Sequence, residues 1–316
     1  MANRRGKQNN WVSVALTIIA VVIVFFRILN GDAEEPAATG AQTPTPSPTV
    51  VAVQPTDPDE QGMTLSVLEV GKADCLVLQC DGESMIIDGG NEGDEEYILA
   101  QLKNMGISWF KYLVATHPHE DHIGSLDAVI YNYPVGTAIL SPREHTTRSY
   151  ENLLTALSER EVETVDAKRG DTYALGGATI TILSPDESDD WENINDWSVV
   201  MMVQYGRVKY LLMGDAETPV ESYLLENNAD LSADLLKMGH HGSNTSSKKT
   251  FLNAVHPTLA LITCDKTEKA GEPNAKVVAR LEELDIPYLR TDLCGVISVY
   301  TDGEDIAVTT EREDAA

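Results

Sequence analysis

A six-residue segment, His117-Pro-His-Glu-Asp-His122, contains three histidines and two acidic residues. Neutral imidazoles and carboxylates are the side chains that bind zinc and similar divalent ions. The spacing allows His117 and His119 to bind one ion, while Asp121 and His122 reach a second. Glu120 points elsewhere by alternation and is expected on the solvated surface. The segment therefore predicts a metal site.

Two later segments have the same form, an apolar run followed by glycine and a potential ligand. Tyr210-Leu-Leu-Met-Gly-Asp215 ends in an aspartate, and the run from Leu235 leads through Gly239 to His240 and His241. In isolation, Asp215 fits an ordinary turn equally well. Three predicted strands that deliver ligand-type residues at their carboxyl ends favour one shared cleft.

Apolar alternation and breaker residues predict the elements that must position these groups. Strands are predicted at 63–70, 75–80, 84–88, 111–116, 178–183, 198–205, 208–213, 235–238, 259–264, 295–300 and 306–309. Helices are predicted at 95–105, 121–131, 219–226, 248–255 and 275–284. Both halves begin with strands and then add helices, which indicates an α/β fold with two packed sheets and helices outside.

Composition supports a folded, acidic protein. The chain has 316 residues, 42% of them hydrophobic, and a formal net charge of -27. This apolar content is sufficient for a packed core. The acid excess disfavours long-range attraction to nucleic acid or anionic lipid. A local cationic site remains compatible with it, because bound metal ions can dominate the field of a cleft.

The four cysteines, Cys75, Cys80, Cys264 and Cys294, include no CxxC pair, which argues against a cysteine zinc knuckle. Cys75 and Cys80 lie on opposite faces of one predicted strand, so we do not expect them to pair with each other. Buried thiols and other disulfide pairings both stay open.

The amino-terminal region predicts export. Residues 1–10 form a basic, cytoplasmic leader, and residues 11–29 are apolar enough for a transmembrane anchor or a signal segment cleaved near residues 31–33. Residues 30–61 form a Pro/Thr-rich, disordered linker. The domain at 62–316 would then lie outside the cell, either on a single-pass membrane anchor or secreted.

The sequence resembles the metallo-β-lactamase fold hydrolases, and within them the ComEC-like subgroup, whose reference member is the hydrolase domain of a DNA-uptake channel protein. The resemblance implies a four-layer αββα sandwich, here preceded by one membrane-spanning helix and the linker. The supporting segments are GKAD at 71–74, IIDGG at 86–90, THPHEDH at 116–122, NDWS at 195–198, LMGDAE at 212–217 and KMGHHGS at 237–243, with weaker support from 291–292 and 295–298.

The resemblance also implies two divalent metal ions, zinc with manganese as the alternative. The implied ligands are His117 and His119 for the first ion, Asp121, His122 and His241 for the second, and Asp215 as the bridge. Many relatives carry another histidine shortly before the bridging aspartate, whereas this chain has none between His145 and Asp215. One ion is therefore expected to have an incomplete protein shell.

Other residues of these segments receive supporting or catalytic roles from the resemblance. Asp88, Asn195 and Ser198 would lie behind the ligands, although a turn aspartate explains Asp88 equally well. Alternation along an extended backbone would prevent His240 and His241 from binding the same ion. The resemblance favours His241 as the ligand and His240 as the substrate-facing group.

The implied reaction is hydrolysis of a phosphodiester by a hydroxide activated between two metal ions. Asp121 would orient the hydroxide, and Lys237 is expected to be solvated, with a positive charge at the site as the alternative. The candidate substrates are single-stranded DNA and a cell-wall polymer. The alternatives are hydrolysis of a β-lactam or lactone ring and a metal-stabilised surface binding module. The membrane is the other expected partner, and no obligate protein partner is inferred.

Overall fold

The computed structural model describes residues 50–51, 61–227, 230–266 and 271–312. The predicted leader, the apolar segment at 11–29 and nearly all of the linker lie outside these residues and stay predictions. In the described part of the chain, no helix is long and apolar enough to cross a membrane.

The strands form two sheets. The first has the order β1-β16-β15-β2-β3-β4-β5-β6-β7, and the second has the order β14-β13-β12-β11-β10-β9-β8. The strands are β1 Val50–Val51, β2 Met63–Val67, β3 Leu76–Cys80, β4 Glu83–Ile87, β5 Phe110–Ala115, β6 Val135–Leu140, β7 Glu163–Asp166, β8 Thr172–Leu175, β9 Ala178–Ser184, β10 Val200–Tyr205, β11 Val208–Leu212, β12 Leu235–Lys237, β13 Leu259–Ile262, β14 Tyr288–Arg290, β15 Ile297–Thr301 and β16 Ile306–Thr310.

Helices cover the outer face of each sheet. The described α-helices are α1 Glu95–Asn104, α2 Glu120–Ile123, α3 Leu126–Asn132, α4 Arg148–Glu159, α5 Thr218–Asn227, α6 Lys249–Val255, α7 Ala275–Glu283 and α8 Thr291–Cys294. Short 3-10 turns lie at Ile194–Trp197 and Gly239–Gly242.

Three apolar layers hold the sandwich together. Alternation along β3 sends Leu76 and Leu78 into the layer between the sheets, where Tyr210 of the second sheet also packs. The neighbouring Val77 instead joins a layer with α1, α3 and α4. A third layer joins the second sheet to α5, α6 and α7. This arrangement confirms the predicted sandwich of two sheets with helices outside.

The cysteines follow the same alternation. Cys75 lies in the layer beneath the helices, and Cys80 lies between the sheets. All four cysteines are buried free thiols. The expectation that Cys75 and Cys80 do not pair is confirmed, and buried thiols are the form that the structure shows.

The single helix predicted at 121–131 is two helices, α2 and α3. Between them, the backbone N–H groups of Gly124 and Ser125 donate to the carbonyl oxygens of Gly90 and Gly89 instead of continuing the helix. A side chain at Gly124 would come within 2.2 Å of the backbone of Asn91, so only glycine allows this close approach. The break fixes the histidine segment against the end of β4.

Strand direction brings the predicted ligands to one edge. In the first sheet, β4 and β5 are parallel, and β3 is antiparallel to β4, so the end of β4 lies beside the start of β3. In the second sheet, β11, β12 and β13 are parallel, and β10 is antiparallel to β11. The residues that follow β4, β5, β11, β12 and β13 therefore share an edge with those that precede β3 and β10.

Candidate metal centre

The histidine segment is held from behind by Asp88, which follows β4 and is fully buried. Thr116 donates its backbone N–H to Asp88 Oδ1 at 2.8 Å and its hydroxyl to Oδ2 at 2.6 Å. His122 Nδ1 lies 2.7 Å from the same Oδ2. Asp88 thus contacts the residue before the segment and the last residue of the segment.

Four side chains form what we call the enclosed cluster: Asp121, His122, Asp215 and His241. One ligand atom from each lies within 4.8 Å of all the others. His122 Nε2 and His241 Nε2 lie 3.3 and 3.5 Å from Asp215 Oδ1, and His241 Nε2 lies 3.7 Å from Asp121 Oδ2. A divalent ion between these atoms would have two nitrogen and two oxygen donors, which is a set typical of zinc.

Three atoms of the enclosed cluster indicate whether these residues suit a metal ion. His122 Nε2, Asp215 Oδ1 and His241 Nε2 are buried and have no hydrogen-bond partner in the described structure. Buried polar atoms are normally hydrogen-bonded, and those that are not require an explanation. A cation among the three would satisfy all of them at once, so the residues present fit a metal ion.

A second group, the open cluster, consists of His117, His119 and His240, and two of its rings face the other oxygen of Asp215. His117 Nε2 lies 3.0 Å from His119 Nδ1 and 4.0 Å from Asp215 Oδ2. His240 Nε2 lies 3.8 Å from the same Oδ2. Asp215 therefore presents one oxygen to each cluster, which is the geometry that a bridging carboxylate needs.

Hydrogen bonds on the far side of each ring orient four of these histidines. The Thr263 hydroxyl donates to Asp74 Oδ1 at 2.6 Å, so its oxygen accepts from His241 Nδ1. This leaves the Nε2 lone pair of a neutral ring facing the cluster. The outer partners are Asp88 for His122, Thr263 for His241, Thr116 for His117 and Glu217 for His240, at 2.7, 3.0, 3.2 and 2.7 Å.

The backbone at His240 and His241 differs from the expectation. Their φ angles are 46° and 52°, in the left-handed region, whereas an extended backbone was predicted. Residues other than glycine adopt this region at a cost of about 1–3 kcal/mol, and such residues cluster at functional sites. The left-handed turn lets adjacent imidazoles face different oxygens of Asp215.

Lys237 is buried, which corrects the expectation of a solvated lysine. Its side chain is 1% exposed, and its Nζ lies 2.7 Å from Asp74 Oδ2 and 3.0 Å from the carbonyl oxygen of Met238. Although burial opposes ionisation of Asp74, the Lys237 ammonium holds the pKa of that carboxyl below its ordinary value. A charged pair therefore lies directly behind His241.

Ser198 and Asn195 lie where supporting residues were predicted. Ser198 Oγ accepts the backbone N–H of Asp215 at 3.0 Å and lies 3.4 Å from His117 Nδ1. Asn195 Nδ2 donates to Glu217 Oε1 at 3.3 Å, next to the contact between Glu217 and His240. The turn that precedes β10 therefore contacts the outer side of the open cluster.

The pKa values of two buried histidines shift in opposite directions. Burial holds the pKa of His117 well below its ordinary value, so this ring is neutral and able to bind a cation. Burial opposes charge on His122 as well, but the carboxylates of Asp215 and Asp88 outweigh it and raise the pKa of His122 well above the ordinary value. A cation in the enclosed cluster would therefore displace a proton from His122.

Several residues of the site were missed by sequence reasoning. Asp74 and Glu217 lie in segments that carry the resemblance, but they received no role. Thr263 lies within a predicted strand and gave no further signal. His145 lies in the loop after β6, with its ring centroid 6.1 Å from that of His119, and no element was predicted in that region.

Comparison with known proteins agrees with this architecture. The profile described as Metallo-beta-lactamase superfamily matches residues 68–263. The chain is 30% identical over 203 residues to "ComE operon protein 3" of Bacillus subtilis, covering 64% of this chain and 26% of that protein. It is 27% identical over 249 residues to "Competence protein ComA" of Neisseria gonorrhoeae, covering 78% and 33%. The chain thus spans about a quarter to a third of the length of these relatives.

Among solved structures, the metallo-beta-lactamase fold protein YhfI from Bacillus subtilis is similar with a TM-score of 0.51 and 11% identity, covering 77% of this chain and 100% of that one. This likeness concerns the fold alone. The chain belongs to the metallo-beta-lactamase superfamily, and its named relatives support the ComEC-like subgroup. The clustered histidines and aspartates form a candidate metal site.

Proposed function

We propose that this superfamily member hydrolyses phosphodiesters with the help of two divalent ions. The observation that carries the proposal is the convergence of three buried, partnerless atoms, His122 Nε2, Asp215 Oδ1 and His241 Nε2. Zinc suits their nitrogen and oxygen donors, and manganese is the alternative. The enclosed cluster would hold one ion. His117, His119 and Asp215 Oδ2 would hold the other.

Divalent ions held at such a site would lower the pKa of bound water to about 7 and would neutralise charge that develops on a substrate. The chain's own groups supply positioning and proton transfer. Asp121 is partly exposed. It would accept a hydrogen bond from the attacking water and so orient it. Asp215, held by the backbone contact to Ser198, fixes the distance between the clusters.

His240 is the candidate for the proton donor to the leaving oxygen. Its side chain is 19% exposed, and its Nδ1 lies 2.7 Å from Glu217 Oε1. Burial lowers the pKa of His240, but the hydrogen bond to Glu217 outweighs this effect and raises it. An imidazole that is fixed on one side and solvent-accessible on the other can hold a proton at Nε2 for transfer.

We favour DNA over a cell-wall polymer as the substrate. One relative is named a competence protein, which fits a function connected with DNA. The net charge of -27 disfavours strong electrostatic binding of a duplex, so a single strand is the form that we propose. An extracellular position at the membrane, through the predicted segment at 11–29, is part of the same proposal.

A substrate panel tests this function. The full chain would be assayed with bis-p-nitrophenyl phosphate, a single-stranded oligonucleotide and nitrocefin, with zinc, with manganese and with EDTA. We expect metal-dependent cleavage of the two phosphodiesters. Preferential cleavage of nitrocefin would favour a ring hydrolase. A metal-loaded protein that turns over none of the substrates would favour a binding module.

A further inference from the structure

Lys72 lies in the loop between β2 and β3, and backbone hydrogen bonds hold this loop against the histidine segment. The N–H of Asp74 donates to the carbonyl oxygen of Asp121 at 3.0 Å. The N–H of Gly90 donates to the carbonyl oxygen of Asp74 at 2.8 Å. These backbone hydrogen bonds, and not only the conformation of the Lys72 side chain, therefore place Lys72 beside Asp121.

The ammonium group of Lys72 is only loosely paired. Its Nζ lies 3.8 Å from Asp121 Oδ2, which is too far for a hydrogen bond, and it donates no hydrogen bond to the described residues. By contrast, Lys111, Lys209 and Lys237 each lie 2.7 Å from a carboxylate oxygen. Lys72 thus keeps donors available for a ligand.

Lys72 also lies on the accessible side of the metal centre. The side chains of Lys72 and Asp121 are 31% and 26% exposed, whereas those of His122 and Asp215 are at most 2% exposed. A substrate that reaches Asp121 from solvent therefore comes close to the ammonium group of Lys72.

We propose that Lys72 binds a non-bridging oxygen of the phosphodiester and gives the site its preference for anionic substrates. This inference rests on the proposed function and names the residue that recognises the substrate charge. An ammonium group suits a phosphate oxygen as a mobile point charge with three donors. In a chain of net charge -27, it also reduces repulsion of an anion at the opening of the site.

The test compares Lys72→Met with Lys209→Met in the zinc-loaded full chain. Lys209 is a matched control, because its side chain is 27% exposed and pairs with Asp230 at the opposite edge of the second sheet. Calorimetric titration with inorganic phosphate is expected to show binding weakened about 10-fold or more by Lys72→Met, and little changed by Lys209→Met. Lys72→Arg should retain most of the affinity.

A second measurement distinguishes two roles of Lys72, which are binding the substrate and positioning Asp121. Lys72→Met should raise KM for the anionic bis-p-nitrophenyl phosphate more than KM for the neutral triester diethyl p-nitrophenyl phosphate, with zinc content unchanged. Loss of zinc, or equal impairment with both substrates, would assign Lys72 to positioning Asp121 instead. Unchanged phosphate affinity would also overturn the proposal. If the unmodified protein hydrolyses no phosphodiester, the proposed function fails, and the phosphate titration still decides the role of Lys72.

Discussion

The enclosed and open clusters share Asp215 but are built differently. In the enclosed cluster, His122 and His241 are fully buried, and the buried carboxylates of Asp88 and Asp74 lie behind them. In the open cluster, His119 and His240 are only partly buried, and the ring of His117 contacts hydroxyl groups on its outer side.

This difference would give the two proposed ions different tasks. A set of four ligands, three of them buried and backed by negative charge, suits tight and permanent retention of an ion. A set with fewer ligands and greater exposure suits exchange with water and substrate. We therefore expect one ion to bind more tightly than the other, and the enclosed cluster to be the tighter site.

Asp215→Asn should have the largest effect, because it removes charge from both clusters at once. We expect a loss of metal affinity at both positions and a fall in turnover of about 1,000-fold or more, since the amide lacks the charge that holds the two ions in place. Metal content by mass spectrometry and turnover of bis-p-nitrophenyl phosphate measure this. Full occupancy with unchanged turnover would remove Asp215 from the site.

His241→Ala and His240→Ala should separate the two clusters. His241→Ala is expected to lose the tightly bound ion, whereas His240→Ala should keep it and lose about 100-fold in turnover, as for an acid–base group. His256→Asn serves as the control, because His256 ends α6 away from the site in a left-handed conformation that asparagine accepts. A drop in metal content in His240→Ala but not in His241→Ala would reverse the assignment.

Lys237→Met should affect turnover least and stability most. It leaves the buried carboxylate of Asp74 without its charged partner, so we expect the free energy of unfolding to fall by about 3 kcal/mol or more. Lys209→Met, which breaks an exposed pair, should cost less than about 1 kcal/mol. Urea denaturation of the metal-free proteins measures both. Equal losses would show that the charge behind the enclosed cluster contributes no special stability.

The sequence allowed the inner residues to be predicted, because their chemistry is local. Three histidines and an aspartate within six residues indicate a metal site without knowledge of the fold. The outer partners are different, because Thr263 reaches His241 from the end of the neighbouring strand β13, and Asp74 reaches it from the other sheet. The spacing of residues along the sequence does not predict such contacts.

Lys237 could have been predicted correctly. It lies between Leu236 and Met238 in a strand whose apolar run indicates burial on both faces, which is incompatible with a solvated side chain. Two of the strands before β9 were missed for a different reason. The strands β7 and β8 are mostly exposed, so they carry little of the apolar alternation that identifies a strand.

The position of the site on both sheets has a consequence for the kinetics of folding. Asp121 and His122 follow a strand of the first sheet, whereas Asp215 and His241 follow strands of the second, so the four ligands come together only after the sheets dock. An ion would then bind after the main folding barrier has been crossed. Such late contacts slow unfolding and leave the folding rate nearly unchanged. Metal ions should therefore lengthen the lifetime of the folded protein without guiding its formation.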